Sequence, residues 1–410
     1  MLDTWLTLPV VALTYAGIAV GRVPGLRLNR TSMALVGVGL LLVTRQVAFG
    51  QLAALVDVDT IVLLFSMMVI NANLRLAGFF GWVGGALLRL TRSPRGLLAV
   101  EIAAAGLLSA LLINDTICLL FTPLVLEVTA SARRRPTPYL IALAAAANVG
   151  STATITGNPQ NMIIGLASGL PYLRFAAALA PVALLGLGVV WAVLVLLYRD
   201  EFAPGRWAGV AAASPAPLDR TLLLKSLLVV GALLVAFAVG APVALAAFVA
   251  ACALLVTRRV EPEQVLGQCD WGLLLFFMGL FVLSGVLELN GVTARLFALA
   301  RLDGGVSVWG LTGATALLSN LVSNVPAVLL LKPVAAGLAN PAAGWLTLAM
   351  ASTLAGNLTL LGSVANLIVA ESAGSRGVRL TLGEYTRAGA LITLLTLALG
   401  ALWLRLTVWP

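Results

Sequence analysis

Histidine is absent from this chain, and charge is scarce, with Lys, Arg, Asp and Glu together making only 10% of its residues. A soluble domain of similar length carries about 25% charged residues. Without imidazole there is no Ser-His triad, and the commonest general base and metal ligand are both missing. No paired carboxylates sit at a common depth either, so the chain does not read as an enzyme. Three cysteines, Cys118, Cys252 and Cys269, lie in or beside apolar runs without metal-ligand spacing. They read as small buried hydrophobes, and no metal or other cofactor is expected. Acidic residues number 16 against 25 basic ones, a formal charge of +9. In a soluble protein that balance would point to nucleic acid. Here the basic residues fall in short gaps between apolar runs, where the positive-inside bias puts them, and nucleic acid is excluded as a partner.

What the chain does have is apolar sequence: 61% of its 410 residues are hydrophobic, and its mean hydropathy is +1.06. Runs such as Leu227–Val256 and Leu391–Leu404 cannot all be buried in one soluble core, so the lipid bilayer is the first partner. Residues 1–20 lack a basic leader and a small-residue cleavage site, and read as a first span. A span needs about 20 apolar residues to cross a ~30 Å core. Full-length candidates are 5–21, 32–48, 59–75, 138–170, 172–198, 222–240, 242–257, 271–288, 341–371 and 388–408. Two further regions, 97–131 and 306–336, are broken at their centres by polar residues. Each half has about 15 residues, or ~22 Å of helix, too short to cross. They read as re-entrant hairpins with tips near mid-membrane.

Arginine placement orients these spans. Arg22, Arg27 and Arg30 put the first loop in the cytoplasm and the loop with Asp57 and Asp59 outside. Arg89, Arg92 and Arg95 precede the first hairpin and Arg133, Arg134 and Arg135 follow it, so both its feet are cytoplasmic. A polar linker with Pro204, Pro215 and Pro217, then Arg258 and Arg259, lie inside too. The second hairpin then opens outward, and the N-terminus is outside. Arg174, Arg295 and Arg301 are scattered charges beyond this pattern.

The halves resemble each other. Asp59 opens one span and Asp270 its counterpart, 211 positions on. The tips Ile113-Asn114-Asp115-Thr116 and Ser323-Asn324-Val325-Pro326 stand 210 apart, as do Pro123 and Pro333. Gly157-Asn158-Pro159-Gln160-Asn161 matches Gly362-Ser363-Val364-Ala365-Asn366 at 205. The division is a first inverted repeat over 1–199 (scaffold spans 5–48, hairpin 97–131, broken helix 138–170), a linker over 200–220, and a second repeat over 221–410 (scaffold spans 222–257, hairpin 306–336, broken helix 341–371). Inverted repeats with helices interrupted at corresponding places point to a transporter's site.

The interruptions hold the candidate chemistry. Gly150 and Gly157 tolerate unwinding and Pro159 removes a backbone donor. Unwound backbone at membrane depth survives only when buried in protein or lining a watery cavity. Ser151, Thr152, Thr154 and Thr156, with Asn148, Asn158, Gln160 and Asn161, would line that cavity. Asn357, Thr359, Gly362, Ser363 and Asn366 do the same in the second half, and Asn114, Asp115, Thr116, Ser323 and Asn324 stand at the tips. Isolated Ser, Thr and Asn glue helices together; two repeated clusters, each beside a polar tip, favour a solute site.

These tips and unwound runs resemble the ion transporter superfamily, which holds arsenite efflux permeases, sodium/proton antiporters and divalent-anion/sodium symporters. The resemblance covers about residues 5–408. The dicarboxylate symporters carry Ser-Asn-Thr at both tips; here Ile113 and Asp115 flank Asn114 and the second tip reads Ser323-Asn324-Val325, which is more similar to the arsenite permease and antiporter branch. The resemblance implies an elevator-like motion, a homodimer through spans 5–48 and 222–257, a bacterial-type inner membrane, and, within the arsenite branch, a cytosolic ATPase partner.

A charged side chain at the bilayer centre costs at least ~2.5–3.5 kcal/mol, so Asp115 is a functional candidate, as a carboxyl that takes up and releases a proton. Lys332, eight residues past the second tip, either pairs with Asp115, replaces a sodium ion, or snorkels outward. Glu101, Glu127, Glu288 and Asp303 read as solvated or peripheral. The expectation is an all-α polytopic membrane protein of about 10 transmembrane helices plus two hairpins. It would act as a secondary transporter exporting a small inorganic oxyanion or an arsenite- or antimonite-like metalloid, coupled to protons. Sodium/proton antiport and symport of a small carboxylate are the alternatives.

Overall fold

The structure, a computed structural model, describes residues 4–21, 27–89, 91–203, 218–293 and 306–409. Arg22, Pro204, Pro215, Pro217, Arg295, Arg301 and Asp303 lie outside them. Every regular element among the described residues is helical, as a lipid-spanning chain must be when water is not there to satisfy backbone groups. The first half comprises α1 (Thr4–Val20), α2 (Arg30–Val43), α3 (Val58–Leu76), α4 (Phe79–Leu88), α5 (Pro94–Leu111), α6 (Asn114–Ser131), α7 (Pro136–Ser151), α8 (Pro159–Ser168) and α9 (Tyr172–Leu197). The second comprises α10 (Arg220–Ala238), α11 (Val243–Leu255), α12 (Trp271–Leu289), α13 (Val308–Val322), α14 (Asn324–Gly337), α15 (Pro341–Ala355), α16 (Val364–Gly374) and α17 (Leu382–Thr407). Among the described residues α3, α5, α9, α10, α12 and α17 are long and apolar enough to cross a membrane.

Local chemistry sets many of the boundaries. Side chains of Asn29, Asp57, Ser93, Asp219, Asp270, Ser307 and Asn340 accept from the first free amides of their helices, each such cap being worth about 1 kcal/mol. Thr381 and Glu384 form a reciprocal capping box, which starts α17 at Leu382, before the expected residue 388.

Three expectations change. The arms of the first hairpin are 18 residues each, not about 15, because Ser93 caps the first arm early and Pro94 suits its first turn. Helix α4 and the short helices Leu52–Leu55 and Pro262–Leu266 were not read as elements; they are too short to register in a span-length hydropathy window. Glu101 is buried rather than solvated, with its Oε1 unpartnered, because α7 packs over the face of α5 that carries it. Glu127 and Glu288 are exposed.

Contacts are reciprocal between the halves. Helix α3 packs on α11 while α12 packs on α2; α16 packs on α6 while α8 packs on α14. Within each half the hairpin lies on the first segment of the broken helix, α5 on α7 and both α13 and α14 on α15. The feet of the first hairpin are tied by the chain that follows α9. Arg95 Nε donates to Phe202 O at 2.8 Å and Arg134 Nη1 to Glu201 O at 3.2 Å.

Candidate functional site

At the first tip two extended residues, Leu112 and Ile113, separate the arms, and Asn114 N donates to Gly157 O at 3.0 Å. The hairpin therefore docks directly onto the unwound stretch 152–158. That approach requires glycine. A Cβ on Gly157 would stand 2.9 Å from Ser109 O of the hairpin and 2.3 Å from Ser151 O, and one on Gly150 would stand 2.1 Å from Gly106 O, where α5 and α7 touch backbone to backbone.

The unwound stretches are held by matching bonds. Asn161 Nδ2 donates to Ser151 O (3.1 Å) and Thr154 O (2.9 Å). Asn366 Nδ2, 205 positions on, donates to Gly356 O (2.8 Å) and Thr359 O (3.0 Å), which occupy the same relative places. In each case a buried carboxamide replaces hydrogen bonds lost when the helix opens. Asn158 and Ser363 cap the helices that resume after the breaks, and Asn158 Nδ2 also reaches Ser151 Oγ at 2.9 Å.

Asn148 joins the two halves. Its Nδ2 donates to Asn357 Oδ1 and to Asn366 Oδ1, both at 2.9 Å. Its Oδ1 accepts from Asn114 Nδ2 and from Ser363 Oγ, both at 3.1 Å. All four hydrogen-bonding positions of this amide are filled. At the second tip the Asn324 amide nitrogen faces Ser319 Oγ (2.8 Å), Ser352 O (3.1 Å) and Gly362 O (3.3 Å). Two atoms in this network are buried without partners, Asn114 Oδ1 and Asn357 Nδ2.

A cavity of about 690 Å³ reaches both tips. Asn114, Asp115, Gln160, Ser323, Asn324 and Ser363 line its inner end, and Arg30, Asp270 and Glu371 also line it. Asp115 is half-buried and forms no hydrogen bond or ion pair among the described residues. With carboxylates ionised, three acids face one guanidinium.

The sequence-derived candidates thus separate into two groups. Asn114, Asp115, Ser323, Asn324 and Ser363 line the cavity. Ser151, Thr152, Thr154, Gly157, Asn158, Asn161, Thr359, Gly362 and Asn366 hold the breaks, with Ser151 and Thr152 hydroxyls returned to Asn148 O and Thr154 Oγ1 donating to Ala110 O. Asn148 stands one hydrogen bond behind Asn114 and Asn357 two. Thr116 accepts from Asn71 Nδ2 at 3.1 Å and faces a smaller cavity of about 160 Å³. Lys332 lines neither cavity and forms no ion pair with Asp115; eight residues of helix carry it about 12 Å from its tip. Sequence reasoning passed over Arg30, which it read only as a topology marker, and Asp270, which it read only as a repeat marker. Glu371 and Asn71 gave no signal, each lying alone in an apolar run.

The profile described as "citrate transporter" matches residues 15–355. The chain belongs to the citrate transporter family. A silicon efflux transporter of rice, LSI3, is 32% identical over 92% of this chain and 93% of its own. A 46 kDa membrane protein of Mycobacterium leprae is 32% identical over 98% of this chain and 99% of its own. The crystal structure of the Alcanivorax borkumensis YdaH transporter superposes with a TM-score of 0.61 at 16% identity, covering 98% of this chain and 97% of that one; this is likeness of fold. As a member of the citrate transporter family, this protein is a multi-pass secondary transporter, and the two tips lie in a fold shared with a solved transporter.

Proposed function

We propose that this transporter exports a small uncharged hydroxylated solute, of which arsenious and silicic acid are the models, in exchange for a cation carried on Asp115. The observation that carries the reading is the buried, unpartnered Asn114 Oδ1 on the lining of a cavity whose acids outnumber its bases, with the unpartnered Asn357 Nδ2 two hydrogen bonds behind it. Asn114 Oδ1 is an acceptor that a solute hydroxyl in the cavity can fill by donating. Leaving it unmatched costs about 1–3 kcal/mol, which a bound hydroxyl would recover.

The same cavity argues against citrate. Asp115, Asp270 and Glu371 would repel a tricarboxylate, and Arg30 is a single counter-charge. Likeness to the rice protein named for silicon efflux agrees with an uncharged hydroxide. Topology supports the outward direction. The cavity is lined by Gly21 and Arg30 at the edges of the first loop and by Asp270 before α12, which the positive-inside bias assigns to the cytoplasm. Solute then loads from inside.

Counterflow in proteoliposomes, with no ion gradient, tests this reading. Vesicles preloaded with arsenious or silicic acid are expected to exchange the same solute across the membrane and to leave citrate behind. The exchange should fall at least tenfold in Asn114→Ala and Asn357→Ala. Exchange of citrate without either hydroxide would overturn it.

A further inference from the structure

The smaller cavity, about 160 Å³, shares Asp115 with the larger one and is lined by the first tip but not the second. Its polar lining is Asn71 and Arg75 from α3, Asp115 and Thr116 from the first tip, and Gln268 and Asp270 from the turn before α12. Several of the oxygens there have no donor. Asn71 is 3% exposed; its amide nitrogen is turned to Thr116 Oγ1, and its Oδ1 is left unpartnered. Gln268 Oε1 is likewise buried without a partner. Asp115 has none, and Asp270 uses Oδ1 to cap α12 through Leu273 N at 2.8 Å.

Carboxylate, carboxamide and hydroxyl oxygens around one small space are the donor set of a hard cation. No thiol or imidazole, which would favour a softer ion, lines it. Arg75 decides the charge. Two carboxylates and one guanidinium leave a net of one negative charge, which suits a monovalent ion better than a divalent one. The position matters too, since the oxygens come from a hairpin tip on one side and from α3 and the α12 turn on the other. An ion seated here would hold the tip against those elements.

We infer that this cavity binds a sodium ion, through the Asp115 and Asp270 carboxylates, Asn71 Oδ1, Gln268 Oε1 and the Thr116 hydroxyl. This rests on the reading above in one respect, that Asp115 carries the coupling cation, and it names that cation and its remaining ligands.

The test is binding alone, without any transported solute. The purified full-length protein in lipid nanodiscs is unfolded by heat in sodium, lithium, potassium, magnesium, calcium or choline chloride at matched ionic strength. Sodium is expected to raise the midpoint saturably above potassium and choline. Asp270→Asn, which keeps the oxygen that caps α12, and Gln268→Leu, at a half-buried turn position, should each raise the half-saturating sodium concentration at least tenfold. Both lie in the turn before α12, but only Asp270 caps that helix, so loss of fold in Asp270→Asn leaves Gln268→Leu to decide. Equal stabilisation by all chlorides, stronger stabilisation by magnesium or calcium, or wild-type saturation in a variant that folds would overturn the inference. Failure of hydroxide counterflow with the sodium response intact would remove only the solute reading; the reverse pattern would remove only the sodium site.

Discussion

The two interrupted helices are built to one plan but not to one stiffness. In the first half, residues 152–158 are all buried. Their hydroxyls are tied outward, Thr154 to Ala110 O and Thr156 to the Tyr172 hydroxyl at 2.9 Å, whose ring stacks on Phe237 at 4.6 Å. In the second half Leu361 is 62% exposed, and no aromatic hydroxyl among the described residues reaches residues 356–363. The tips differ in the same sense. Ile113 has ordinary extended backbone (φ −65°, ψ 124°), whereas Ser323 stands at φ 80°, ψ 160°, a region open in practice to glycine alone. Such a residue stores about 1–3 kcal/mol. Two copies of one motif have therefore diverged into a clamped half and a strained, more open half. That is the asymmetry expected if one tip anchors the site and the other gates it.

The largest expected effect comes from the closest approach. Gly150→Ala puts a methyl 2.1 Å from Gly106 O, and backbone cannot step aside as a side chain does. The twin position already holds Ala355. Gly150→Ala should lower stability by about 3 kcal/mol or more, at the upper end of overpacking, while Ala355→Gly should lose only about 1 kcal/mol of helix propensity. Detergent-phase thermal unfolding compares them directly, and equal losses would mean that the α5–α7 contact is looser than drawn.

Next comes the hub. Asn148→Ala strands partners in both halves and should cost about 2–4 kcal/mol, one to two unmatched buried groups at the usual penalty. Its twin Thr353 accepts from Asn158 at 3.3 Å and Gln160 at 3.2 Å, so Thr353→Ala should cost about half as much. The ratio of the two losses in chemical unfolding is the quantity to measure.

Smaller again, Ser323→Gly should stabilise the protein by up to ~1–3 kcal/mol through release of strain while slowing solute exchange, if the strain drives tip movement. Ile113→Gly should destabilise by about 0.5–1 kcal/mol, since added chain entropy meets no strained backbone to relieve. Matching signs for the two would remove the proposed asymmetry. The smallest effect is Tyr172→Phe, about 0.5–1.5 kcal/mol for one hydrogen bond, read as faster amide exchange confined to residues 152–158.

Much of this architecture was legible because the bilayer simplifies the problem. Apolar run length marks α3, α9 and α12 to within about two residues, the usual uncertainty of a helix end. The breaks were legible for a related reason. Gly157-Asn158-Pro159 and Gly362-Ser363 interrupt runs that lipid would otherwise demand be continuous, and their spacing of 205 ties the halves together. Polarity at the tips picked out Asn114, Asp115, Ser323 and Asn324. It could not separate residues that line the cavity from residues that hold the backbone, because Asn158 and Asn114 look alike until their amides have partners.

By itself the sequence determined that this is an all-helical membrane protein with paired hairpins and paired breaks. Each of those features is a local consequence of hydropathy, glycine and proline in a medium that forbids unpaired backbone. Only the tertiary structure decided that Asn148 bridges the halves, that Lys332 stands away from Asp115, and that Arg30, Asp270 and Glu371 join the cavity. Those facts depend on which helix faces cross between residues more than 200 positions apart, as Asn148 and Asn357 do at 2.9 Å. Such meetings are set by packing, which has no period in the chain.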